Sequence, residues 1–119
     1  MGVRNSALVG PVIPMPEKTP AALRTAVAQL SPEAVAKFDA HWASAMEQAR
    51  EECSPLPGRH FVEHWWMWGA VTRWPQRAAR LRECERLVAE SDDRELRRSA
   101  AAEMGRILAE AADDAEADT

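Results

Sequence analysis

The stretch from His60 to Trp74, His-Phe-Val-Glu-His-Trp-Trp-Met-Trp-Gly-Ala-Val-Thr-Arg-Trp, holds four of the chain's five tryptophans and two of its three histidines. Wound as a helix, it places Phe61, Val62, Trp65, Trp68, Gly69 and Thr72 on one apolar arc with Trp66 at its edge. Met67, Ala70, Val71 and Trp74 occupy the remainder, and only Glu63 and Arg73 interrupt it. A helix apolar nearly all round is either the centre of a small bundle or half of an interface. One helix turns only part of its circumference toward a small core, so the two possibilities divide the residues. Phe61, Trp65 and Trp68 are expected in the core, against Phe38, Trp42 and Met46 of the preceding helix. Trp66, Met67 and Trp74, with Arg73 and Arg77 beside them, are left for an interface, because an exposed apolar patch of that size usually marks an interaction site. Self-association as a homodimer through that patch is the corresponding expectation.

The rest of the chain supplies the partners of that helix. Alanine, leucine, glutamate and arginine dominate, tyrosine is absent and β-branched clusters are few, so the 119 residues read as one all-α domain. A chain of this length can bury a sufficient core without metals or disulfides. The predicted architecture is a small helical bundle of four to five helices with an extended, proline-rich N-terminal arm. Pro11, Pro14 and Pro16 assign residues 1–18 to the arm. Thr19-Pro20 starts the first helix as N-cap and first helical residue, and Ser31-Pro32-Glu33 repeats the device for a second helix reaching about Cys53. Ser54-Pro55-Leu56-Pro57-Gly58 is the strongest break, and the tryptophan helix is expected from about Arg59 to Arg73. A fourth helix starts at Pro75, and Asp92 with Glu95 forms a capping box for a fifth, unless the two run together as one bent helix. The helical domain is placed at residues 19–112, and the acidic residues 113–119 are expected to be a disordered tail.

Charge and motifs exclude more than they assign. A net charge of −4 argues against nucleic acid as the main partner, since phosphate neutralisation needs clustered excess Lys and Arg. The stretch Arg73–Arg98 is rich in arginine but nearly balanced by acids, which makes it the sole candidate for a DNA-binding regulator and a weak one. His60-Phe61-Val62-Glu63-His64 fits the H-x-x-E-H pattern of inverted zinc proteases, with both histidines on one helical face. The candidates for a third ligand, His41 and acids on neighbouring helices, lack supporting spacing, so neither a metal nor a catalytic residue is assigned, and no cofactor. Cys53 and Cys84 lack metal or disulfide spacing and fall on apolar stripes, so both are expected as buried thiols. The tryptophan cluster could alternatively line a small-ligand pocket. The apolar N-terminal run is too short and proline-broken for a signal peptide or membrane span, and a cytoplasmic location is expected. Met1-Gly2-Val3-Arg4-Asn5-Ser6 matches a myristoylation pattern, but thirteen arginines against two lysines suggest a GC-rich bacterial genome lacking that chemistry.

Three motifs, Thr19-Pro20-Ala21-Ala22-Leu23-Arg24, Phe38-Asp39-Ala40-His41-Trp42 and Phe61-Val62-Glu63-His64-Trp65-Trp66, resemble a family of short actinobacterial helical proteins of unknown function. That family shares T-P-x-A-L-R, F-D-x-x-W and W-W motifs and is often encoded beside toxins of the RelE/ParE type. The resemblance covers roughly residues 16–75. It implies a non-catalytic, antitoxin-like protein-binding module that neutralises or regulates a basic partner protein such as a toxin, and it carries no catalytic residue across.

Overall fold

The computed structural model describes residues 10–119, which contain helices and no strand. Helix α1 is Pro20–Leu30, a 3-10 turn covers Pro32–Ala34, and α2 (Val35–Glu52), α3 (Leu56–Thr72), α4 (Pro75–Glu90) and α5 (Arg94–Ala117) follow. No helix among the described residues is long and apolar enough to cross a membrane. The fold is all-α, as the composition requires. Two compact units divide it: residues 15–69, and residues 70–118 with the described part of the arm, residues 10–14. The division falls inside α3, between Gly69 and Ala70.

Local chemistry explains each helix start and stop. Thr19 caps α1 by accepting the Ala22 N–H at 3.2 Å, with Pro20 in the first turn where no donor is needed. Ser31 leaves the helical region ahead of Pro32, so the second helix opens on a tight 3-10 turn. Cys53 ends α2 in the left-handed conformation (φ 51°), the position glycine usually fills, and its backbone N–H donates to the Ala49 carbonyl. That geometry turns the thiol outward. Cys53 is exposed, contrary to expectation, whereas Cys84 is buried.

Helix α3 begins three residues earlier than the break suggested. Ser54 Oγ accepts the Leu56 N–H at 3.1 Å, and Pro57 and Gly58 lie inside the first turn. Proline is tolerated there because first-turn N–H groups have no intrahelical acceptor. The N-cap of α5 is Asp93 instead of Asp92: its Oδ1 accepts from Glu95 N at 2.9 Å and Leu96 N at 3.2 Å. Ser91 is extended (ψ 139°), so α4 and α5 are separate helices.

In the unit of residues 15–69 the core is aromatic. Phe38, Phe61 and Trp65 are buried, Trp42, Met46 and Trp68 are half-buried, and Leu23, Ala26 and Val27 of α1 complete the packing. Phe38 meets Phe61 edge to face with centroids 4.9 Å apart and Trp65 at 5.1 Å, while Trp42 lies 5.0 Å from Phe61 and Trp68 5.4 Å from Trp65. Each such pair adds about 0.5–1.5 kcal/mol beyond area burial.

The unit of residues 70–118 is an α4–α5 hairpin around Cys84, Ala100 and Ile107, with Leu81, Leu87 and Met104 packed against them. Charge supplements this small core. Arg73 is 2% exposed, yet its guanidinium reaches Asp118 at 2.7 Å, Asp114 at 3.5 Å and the Ile13 carbonyl at 3.3 Å. Arg77 donates to Asp114 at 2.8 Å. These bonds correct the expected disordered tail: α5 continues to Ala117 because two arginines hold its last acids, despite carboxylates being unfavourable at a helix C-terminus.

Candidate ligand groove

An open depression of the 15–69 unit forms where the N-termini of α1 and α3 meet the middle of α2. Pro20 and Lys18 form one wall, Pro55, Gly58 and Arg59 the other, and Trp42 and Val62 the floor, with Glu63 at the rim. Its volume is about 590 Å³. A second hollow of about 290 Å³ shares Pro20 and Trp42 and extends to Ala21, Arg24, Phe38 and Asp39. Together they make a trough running past the half-buried Trp42 indole. Trp42 can serve both sides because its ring packs on Phe61 beneath while part of it stays in contact with water.

Most of the charge around the trough is spoken for. Arg24 and Asp39 form a two-bond pair, both at 2.8 Å, in which the Arg24 hydrogen bonds hold the Asp39 carboxyl below its usual range. Lys18 reaches Glu63 at 3.3 Å and lies 4.3 Å above the Trp66 ring. Arg59 is exposed and makes no ion pair among the described residues.

In the same unit, the Trp65 indole N–H donates to His41 Nδ1 at 2.9 Å. The His64 ring stands edge-on to His41 at 5.3 Å. Its pKa is lowered, first by burial and then by His41 and Lys37, so it favours the neutral form. His60 is exposed. Among the described residues no three His, Cys, Asp or Glu side chains are grouped to hold a metal ion.

The residues set aside for an interface differ in exposure. Trp66 is 3% exposed and Arg73 2%, both inside the chain; Met67, Trp74 and Arg77 are half-buried. The premise of a large aromatic surface, on which self-association was expected, is thereby removed at Trp66. The indole N–H groups of Trp66 and Trp74 and Nε of Arg73 are buried without a hydrogen-bond partner among the described residues. Arg73 and Arg77 instead stack beside the Trp74 ring, 5.9 and 5.4 Å from its centroid. The trough is not legible in the sequence, where Pro20 and Pro55 read as helix punctuation and Arg59 as the start of the tryptophan helix. Its one sequence signal was that two proline-marked helix starts, Thr19-Pro20 and Pro55-Leu56-Pro57, flank a helix carrying an aromatic stripe.

Comparison with curated proteins and with solved structures gives no match. A family model does match, over residues 11–114, which takes in α1 to α4 and most of α5. The chain therefore belongs to DUF6247, a family of unknown function.

Proposed function

We propose that the chain is a non-catalytic protein-binding module that engages a segment of its partner in the trough beside Trp42. The observation that carries this reading is the trough itself: an apolar, ring-lined floor open along one side, with Arg59 at its edge making no ion pair among the described residues. Tryptophan in such a position is a common anchor of protein interfaces. The antitoxin-like role implied by the motifs of α1 to α3 agrees with a module of this kind. The net charge of −4 favours a basic partner through the long-range field, while the trough supplies local recognition.

A DNA-binding regulator draws less support. Of the eight arginines in the stretch proposed for it, five (Arg73, Arg77, Arg80, Arg86 and Arg98) lie within ion-pair distance of an acid of the same chain. Cations already paired release fewer counterions from a phosphate backbone.

Selection of a displayed random peptide library on the wild-type protein, counter-selected on a Val62→Arg variant, tests the reading. Peptides retained by the wild type and lost on the variant are expected. Enrichment indifferent to Val62→Arg, or none, contradicts it.

A further inference from the structure

We propose that the trough accepts an extended, proline-containing segment of a partner protein and anchors one carboxylate of that segment on Arg59. The proposal rests on the protein-binding reading above and names the ligand chemistry of that same site.

Charge complementarity gives the carboxylate. Of the cations around the two hollows, Arg24 is held by Asp39 and Lys18 by Glu63, whereas Arg59 faces no acid of its own among the described residues. Arg59 also lies in the first turns of α3, where the helix dipole adds partial positive charge. One end of the trough is thus locally positive in a chain of net charge −4. An arginine with no partner forms its strongest hydrogen bonds with a carboxylate.

Shape and backbone chemistry give the segment. Small ligands bind tightly where most of their surface is covered, and a trough open along its length leaves one side in water. A polymer recovers that loss by extending along it. The walls at Pro20 and Pro55 have no N–H to offer, and no strand edge exists among the described residues, so an added β-strand finds no ladder. A polyproline-type segment needs none, since its backbone groups stay solvated. Its pyrrolidine rings suit flat faces such as the Trp42 indole, and the two hollows meeting at Trp42 and Pro20 offer places for two rings.

Fluorescence anisotropy with labelled synthetic peptides tests this on the full chain. The probe carries two prolines three residues apart followed by a glutamate; one control replaces the glutamate with lysine and another replaces both prolines with alanine. Binding in the micromolar range is expected, weakened roughly tenfold by either replacement. Arg59→Glu, an exposed and unpaired position, should reverse the charge preference without loss of fold, whereas Trp42→Ala also removes core packing. Tighter binding of the lysine peptide by the wild type, or indifference to Arg59→Glu, overturns the proposal. Self-association of the protein abolished by Arg59→Glu overturns it too, because a second copy is then the occupant. If library selection yields peptides dependent on Val62 that lack both proline and acid, the inference falls while protein binding stands; if it yields none, both fall.

Discussion

The two compact units of this chain reach order by different chemistry. Residues 15–69 pack large rings, with Phe38, Phe61 and Trp65 buried and Phe38 edge-on to Phe61 and tilted against Trp65. Residues 70–118 pack small side chains, chiefly Ala78, Cys84, Ala100, Ala111 and Ala115, and rely on Arg73 and Arg77 to fasten the end of α5. Ring packing leaves a firm wall on which a half-exposed indole can stand, and the trough lies in that unit. Alanine packing brings helices close together and leaves specificity to charge.

The contrast is sharpest under truncation of core residues. Trp65→Ala removes a 2% exposed ring along with its bond to His41, and a loss of about 3–5 kcal/mol in denaturant unfolding is expected. An unchanged melting temperature would remove the aromatic unit from the account. In the hairpin the corresponding weak point is a charge. Arg73→Met takes one guanidinium partner from Asp118 and one from Asp114, which keeps Arg77; these carboxylates are 43% and 32% exposed, so water takes over part of the solvation. The expected cost is about 2 kcal/mol, below the value for a fully buried pair. Amide exchange should rise over the last turn of α5, and protection unchanged there would show that the helix end does not need its arginines.

Asp93→Ala removes the α5 cap and should cost about 1 kcal/mol. A double variant with Trp65→Ala should then show additive losses, since the residues share no partner; strong coupling would erase the distinction between the units. The smallest effect expected is that of pH on the aromatic unit. His64 has a lowered pKa in the folded chain, so the unfolded chain binds the proton more readily and acid favours unfolding. Stability should hold above about pH 6.5 and decline as pH falls below it, through the folded pKa of His64. His64→Gln should flatten that decline, and a slope unaltered by the substitution would assign it elsewhere.

How much of this was written in the sequence depended on the range of the interactions. The helices announced themselves through Thr19-Pro20, the proline-marked breaks and the stripe of Phe38, Trp42 and Met46, all local signals. Where two local signals competed, boundaries moved by a few residues: Pro57 and Gly58 look like breakers yet fit a first helical turn, and Asp92 looks like a cap although Asp93 performs the bond. The fate of residues 113–119 was not local at all, because it depends on arginines 37 to 45 positions away. The wheel of α3 likewise could not show that Trp66 would be buried, with Lys18 above its ring. The trough escaped notice for the same reason: Pro20, Trp42 and Arg59 come from three helices, and only their meeting makes a surface.

The central claim is that partner recognition belongs to the aromatic unit. Titration of the isotopically labelled protein with the proline- and glutamate-containing peptide, followed by amide and indole chemical shifts, tests it most directly. The account predicts shifts concentrated at the Trp42 indole N–H and at Gly58, Arg59 and Val62, with residues 75–117 unmoved. Shifts centred on the hairpin, or on Trp74 with its arginines, would contradict it.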